Sequence, residues 1–271
     1  MPELPEVESV ARTLRPLVRG KTIRACDVLH RIAVKPQRPA HVRRALEGRR
    51  IEEVERRGKY LALRLDKGCA VLHFKLDGRL VWFDPPEADV RGHIDVALRF
   101  DHGTLGFVDR RHFGRVHWHA KPEDVTGIRT LGIDPLSRAF TPEALRVLLA
   151  KSRRPIKLWL IDQTRLAGLG NIYSSESLWH ARISPRRPAR RVTAAEARRL
   201  HKAIVAVLQR ALKCCLAPAP DFRDAEWWFQ GLEKVLRVYG REGKPCARCG
   251  TRIRRIEQGG RSSYYCPSCQ R

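Results

Sequence analysis

The residues best suited to covalent chemistry are the second and third, Pro2 and Glu3. Removal of Met1 would leave Pro2 as a terminal secondary amine. An α-amino group has a pKa of about 8, so a usable fraction is unprotonated near neutrality. Such an amine attacks an aldehyde carbon and gives an iminium, which carries its positive charge without a further proton and acts as an electron sink. Glu3 beside it could move protons on and off the reacting groups. The same residues also suit a plain helix start, since proline fits a first turn and acids fit its positive end.

The second constellation is Cys246-x2-Cys249-x16-Cys266-x2-Cys269. Two Cys-x2-Cys pairs supply four thiolates to one tetrahedral zinc ion and leave no position open for water, so the ion is expected to be structural. Between the pairs, two strand-like runs flank Gly259-Gly260, a hairpin turn whose Arg252, Arg254, Arg255 and Arg261 are expected to face phosphate. A disulfide reading suits a secreted chain, and nothing here suggests secretion. Cys26 and Cys69 read as small buried apolar groups, and Cys214 and Cys215 carry no assigned function.

These groups need elements to hold them. Leu4, Val7, Val10, Leu14 and Leu17 repeat at helical spacing and Gly20 stops that helix. From about Thr22 to Trp118 there are short β-like runs, at 60–65, 70–74, 80–83, 94–100 and 116–118, separated by turns such as Asp66-Lys67-Gly68 and Asp101-His102-Gly103. Beyond them the pattern is helical, with expected helices at 144–150 (capped by Thr141), 155–162, 173–181 and 193–212. Ala167-Gly168-Leu169-Gly170-Asn171 opens directly into a helix, where outward-pointing amides could form an anion site or only a tight loop. The expected class is α+β: a helix on a β-sandwich at 1–125, a linker at 126–140, a helical domain at 141–240 and a zinc finger at 241–271.

The net charge of +25 names a polyanion as partner. Residues 1–125 hold 25 basic and 18 acidic side chains against 29 and 11 in 126–271, so the second half is expected to grip phosphate more strongly. No apolar run is long enough for a membrane span, and no signal peptide is evident, so an intracellular, cytoplasmic location is expected.

Five motifs occur in order: Pro2-Glu-Leu-Pro-Glu-Val-Glu8, Arg57-Gly-Lys-Tyr60, Asp109-Arg-Arg-His-Phe-Gly114, Asp162-Gln163 with Gly168-Leu-Gly-Asn-Ile-Tyr173, and the four-cysteine hairpin. Together they resemble the formamidopyrimidine-DNA glycosylase family, which includes the endonuclease VIII-like enzymes. The resemblance covers essentially the whole chain. It implies a monomeric, bifunctional repair enzyme that acts on damaged double-stranded DNA, with a helix–two-turn–helix second domain and one zinc ion. Pro2 would attack C1′, Glu3 would assist sugar opening, and Glu6 would support it. Lys59 would contact phosphate and donate a proton in β-elimination, and Arg261 would serve δ-elimination. The target base must leave the stack to be reached. The resemblance makes Leu76 and Phe113 wedges between base steps. It places Arg111 in the vacated space and Asn171 on phosphate, with His73, His93 and Lys151 as further DNA contacts.

The chain departs from the family between Lys213 and Val238, where many relatives carry a flexible Gly- and Thr-containing loop over the extruded base. Here Pro218 and Pro220 stiffen the backbone and Trp227, Trp228 and Phe229 add bulk, either as core or against a base. Leu76 stands for a methionine and His112 for a second arginine. Two alternatives stay open: a preference for oxidised pyrimidines, and a non-catalytic zinc-containing DNA-binding protein. The N-terminal proline discriminates against the second, because a mere binder has no use for its amine. A metal-dependent nuclease fits least, since no carboxylate or histidine cluster has open-site spacing.

Overall fold

The computed structural model describes residues 2–84, 94–216, 222 and 235–271. His93, Pro218, Pro220 and the 227–229 aromatic run lie outside the described residues. The chain divides into two compact units, Met1–Arg129 with Cys215–Gln230, and Thr130–Cys214 with Gly231–Arg271.

The first unit begins with helix α1 (Leu4–Val18). Its expected apolar positions Leu4, Val7, Val10 and Leu14 are fully buried, and Gly20 comes next at a φ of 78°. The rest of the unit is built on two four-stranded antiparallel sheets. One has the order β1-β6-β7-β5 (Ala25–Val28, Ile94–Phe100, Gly103–Val108, Arg79–Phe83). The other has the order β2-β3-β4-β8 (Ile51–Arg57, Tyr60–Leu65, Cys69–His73, Arg115–His119). Leu61, Leu63 and Leu72 from one sheet share a core with Val96, Leu98, Leu105 and Phe107 from the other, and α1 joins the same core. That is a β-sandwich with a helix packed on it, two apolar faces burying one another.

Helix α2 (Pro39–Leu46) and strands β1, β2 and β7 have no counterpart among the runs read from sequence. Strand β2, Ile-Glu-Glu-Val-Glu-Arg-Arg, lacks the two-residue alternation of a strand, and only Ile51 and Val54 are buried. Its charges are satisfied by neighbours: Arg15 Nε lies 2.5 Å from Glu53, and Arg56 Nε lies 2.8 Å from Glu8. Strand β7 begins with a glycine where no side chain fits. A Cβ at Gly103 would fall 2.3 Å from Trp82. Tertiary packing therefore overrides local propensity at both places. Residues 126–129 form a short helix, α3 (Thr126–Arg129), within the stretch read as a linker.

The second unit holds α4 (Pro142–Ala150), α5 (Ile156–Leu160), α6 (Asn171–Ala181), α7 (Ala194–Cys215) and the hairpin β9 (Arg254–Gln258) with β10 (Arg261–Tyr265). Thr141 caps α4 by accepting from Ala144 N at 3.1 Å. Helix α7 ends at the unit boundary. Helix α6 anchors the four-cysteine segment. Its Trp179 packs with Cys246, Val238, Ile253 and Cys266, and the indole Nε1 donates to Cys246 Sγ at 3.4 Å. Arg248 stacks over the same indole with its Cζ 4.1 Å from the ring centroid.

Candidate active site

Pro2 is buried, directly ahead of α1. Glu3 is the N-cap residue in extended conformation, and Glu6 is the third helical residue. The Glu6 carboxylate turns back to accept from Glu3 N at 2.8 Å, one arm of a capping box. Glu3 and Glu6 are only 2% and 1% exposed. The helix-start reading of this segment holds, with Glu3 as the cap directly after Pro2. The helix N-terminus orders the backbone, its dipole favours the carboxylates, and Glu6 is bonded to Glu3, the residue directly after Pro2.

Lys59 sits in the two-residue turn between β2 and β3, after Gly58 with a φ of 58°. It is a lysine with 6% exposure. Burial of an ammonium demands partners, and Lys59 has them. Arg56 closes the turn by donating to Gly58 O at 3.2 Å while its Nε holds Glu8 of α1. The turn carrying Lys59 is therefore fastened to the second turn of α1. At the same end of the sheet His73 pairs across from Tyr60, with ring centroids 4.4 Å apart. His73 Nδ1 accepts from Lys75 N at 2.9 Å, which leaves the ring proton on Nε2. Burial, with Lys75 and Lys59 nearby, lowers its pKa to about 3. It is a neutral donor at physiological pH.

Two loops carry the apolar side chains expected to act as wedges. Leu76 is 43% exposed and Phe113 48%, so neither is a core residue. Each loop contains a non-glycine residue in the left-handed region, Lys75 at φ 52° and His112 at φ 54°. Such strain persists where surrounding structure over-determines it, commonly at ligand clamps. In the second loop the determinant is Asp109, which is fully buried and accepts from Arg111 N at 3.0 Å and Gly114 N at 2.6 Å. Gly114 is obligatory there, because a Cβ would lie 2.4 Å from the Phe107 ring. The loops are tied together by Arg111 Nε, 2.8 Å from Asp77, and Arg111 also lies over the Phe113 ring at 5.6 Å. One strained platform presents Leu76, Arg111 and Phe113 outward.

In the second unit, Gln163 clamps the glycine turn. Its Oε1 accepts from Gly168 N at 2.9 Å and its Nε2 donates to Leu169 O at 2.7 Å. Gly168 takes a φ of 87°. Asn171 opens α6, and its Nδ2 donates to Ser262 O at 2.9 Å. That bond ties the helix start to β10, one residue beyond Arg261. Lys151, at the end of α4, is exposed.

Two residues in this unit escaped the sequence reading. Lys157 is 1% exposed, and its Nζ donates to Asn171 O at 2.7 Å and Ser175 Oγ at 2.6 Å. Glu176 is 2% exposed, and its carboxylate accepts from the backbone of Arg237, Val238 and Tyr239 at 2.8, 2.9 and 2.8 Å. Burial pushes its pKa up, against the pull of those three amides. The available signal was a charge on an otherwise apolar helix face, which in isolation reads as solvated.

The four cysteine sulfurs lie within 4.8 Å of one another, with Cys249 Sγ 3.5 Å from Cys266 Sγ and 3.3 Å from Cys269 Sγ. Tetrahedral Zn–S bonds of about 2.3 Å require sulfurs about 3.8 Å apart, so the cluster fits zinc after small adjustments. Amides of Arg248 and Cys269 donate to Cys246 and Cys266 sulfur at 3.4 Å, the support a thiolate needs. Four thiolates close the coordination shell, and a zinc ion there would hold the hairpin. Gly259 and Gly260 turn it with φ of 58° and 70°, and Arg252, Arg254, Arg255 and Arg261 are all exposed. Cys26 and Cys69 are buried, with thiols pushed up to about 12 and about 11 by burial, and are chemically inert.

Residues 1–116 match the Formamidopyrimidine-DNA glycosylase N-terminal domain, residues 131–216 the Formamidopyrimidine-DNA glycosylase H2TH domain, and residues 243–271 the zinc finger found in FPG and IleRS. A formamidopyrimidine-DNA glycosylase of Pelotomaculum thermopropionicum is 41% identical over 280 residues, covering 100% of this chain and 99% of that protein. One from Chloroflexus aurantiacus is 41% identical over 277 residues, covering 100% and 98%. Lactococcus lactis Fpg, solved in complex with DNA containing an abasic site, matches with a TM-score of 0.90 and 30% identity over 99% of both chains. Matched segments in this order, with full-length identity at this level, make the chain a member of the formamidopyrimidine-DNA glycosylase family of base-excision repair enzymes.

Proposed function

We propose that Pro2, once Met1 is removed, performs the glycosylase and lyase chemistry of this chain on oxidised or ring-opened bases. The observation that carries the reading is the pair of buried carboxylates that follow Pro2, with Glu6 bonded to the Glu3 backbone at 2.8 Å. The Pro2 nitrogen attacks C1′ of the damaged nucleotide and the base leaves. Glu3 protonates the ring oxygen, the sugar opens, and an iminium forms between Pro2 and C1′. Glu6 is a positioning residue, since its carboxylate is engaged with the Glu3 backbone.

The iminium acidifies the C2′ proton. Its loss expels the 3′ phosphate, and a second elimination expels the 5′ phosphate. Lys59 is assigned to phosphate contact and proton donation in the first step, and Arg261 to the second. Leu76 and Phe113 act as wedges, Arg111 meets the orphaned base after leaving Asp77, and neutral His73 donates from Nε2 to a phosphate oxygen. Asn171 serves the phosphate site through its backbone and by fixing the hairpin. Lys151 and His93 are further contacts, and the chain acts as an intracellular, cytoplasmic monomer. Lactococcus lactis Fpg has been captured with DNA containing an oxidised pyrimidine and with DNA containing N7-benzyl-Fapy-dG, which supports a broad lesion range here.

The test is borohydride trapping on duplexes with an abasic site, 8-oxoguanine or an oxidised pyrimidine opposite each normal base. A covalent adduct that disappears when Met1 is retained supports the reading. No adduct on any abasic duplex would sink it, and the same panel ranks the lesions.

A further inference from the structure

His30, Asp95 and His112 stand outside the chemistry above. One nitrogen or carboxylate oxygen from each lies within 4.8 Å of the other two. Asp95 is fully buried at the start of β6. Its Oδ1 is 2.7 Å from His112 Nδ1, while its Oδ2 is buried with no hydrogen-bond partner. A carboxylate oxygen removed from water and left without a donor is costly unless a proton or a cation completes it.

The backbone holds both rings to that carboxylate. Leu29 N and His30 N both donate to Asp95 O, at 2.9 and 3.1 Å, which fastens the His30 segment to β6. His112 is fixed by its left-handed conformation and by its N–H, which donates to Asp109 O at 3.1 Å. The two imidazole centroids are 4.7 Å apart. His30 is exposed, so the cluster has a path to solvent.

We propose that His30, Asp95 and His112 form a second metal site, for a divalent transition ion, separate from the four cysteines. Two imidazoles and one carboxylate favour zinc, cobalt, nickel or copper over magnesium or calcium, which prefer oxygen ligands alone. Three protein ligands leave positions for water, unlike the closed thiolate site. Asp95 would bind through the oxygen that lacks a partner, and the histidine rings would turn toward the ion, His112 giving up its contact with Asp95 Oδ1 where Nδ1 ligates. Because His112 lies between Arg111 and Phe113, a bound ion pins the loop that presents both.

The probe is Co2+ titrated into the full chain with its cysteine site already loaded with zinc, monitored by visible absorption and by metal analysis after equilibrium dialysis. Expected is one saturable Co2+ per chain without thiolate-to-cobalt charge-transfer bands, and at least tenfold weaker binding in His30→Ala and in His112→Ala. His30 is exposed, so His30→Ala tests the site even if an Asp95 variant fails to fold. No saturable Co2+, binding that shows only thiolate bands, or binding unchanged in both histidine variants overturns the proposal. None of these outcomes touches the reading of Pro2, because the readout is a metal count.

Discussion

Glu6 and Glu176 are both buried carboxylates on helices, one in each unit, and they serve opposite ends. Glu6 accepts from the residue that precedes its helix and so holds Glu3 beside Pro2. Glu176 points from mid-helix at three consecutive amides and holds the chain that leads into the zinc hairpin. A buried acid alone therefore says little about catalysis. What its oxygens hold, and whether a nucleophile stands beside it, separates a reaction centre from a brace.

The largest expected effect comes from breaking the first of these. Glu3→Gln should lower base excision by about 100- to 10,000-fold, the usual range for loss of a general acid. Binding to duplexes with an uncleavable abasic analogue should change little, and single-turnover kinetics beside equilibrium binding would check this. A comparable loss of binding would mean that Glu3 is a brace like Glu176.

Glu176→Ala should behave in the opposite way. Three amides lose their acceptor at once, and that of the buried Val238 carries the main cost, about 1–3 kcal/mol for a buried group left unpaired. Denaturant unfolding should show a loss of stability of about that size, and zinc should leave the hairpin more readily in a chelator competition. Unchanged stability would remove the contrast with Glu6.

A smaller effect is expected at the platform. Phe113 and Leu76 are exposed, so replacing either by alanine should alter stability by no more than about 0.5 kcal/mol. Affinity for lesion DNA should fall about tenfold, close to 1.4 kcal/mol. A large drop in the unfolding midpoint would instead mark them as structural.

The smallest effect is a pH slope to which both units contribute. Burial lowers the pKa of His73 to about 3 and of His180 to about 4, each helped by nearby cations. Their folded forms stay neutral while the unfolded chain takes up protons below about 6.5, so their contribution is complete above that pH and is lost as pH falls. Stability should therefore decline from pH 6.5 to 5, and His180→Gln should flatten the decline. A flat profile in the parent chain would show that neither ring is held neutral.

Much of this was legible in the sequence because the features are local. The α1 stripe, the Thr141 cap, the Gly259-Gly260 hairpin and the Cys-x2-Cys pairs each express a short-range geometric rule, and the structure shows all four elements. Strand β2 was invisible because its charges are satisfied by α1 rather than by alternation along the strand. Lys157 and Glu176 were invisible for a related reason, since burial of a charge shows only when distant donors and acceptors are placed around it.

The sequence by itself therefore determined the partner class, through a charge of +25, the order of the motifs and the four-thiolate metal site. Tertiary structure decided which face each side chain serves. It put Leu76 and Phe113 outside the core, strained their loops around Lys75 and His112, and brought His30, Asp95 and His112 together from three distant segments. Spacing along a chain encodes contacts within a turn or a hairpin. Contacts across a sandwich depend on how its two apolar faces come to bury one another.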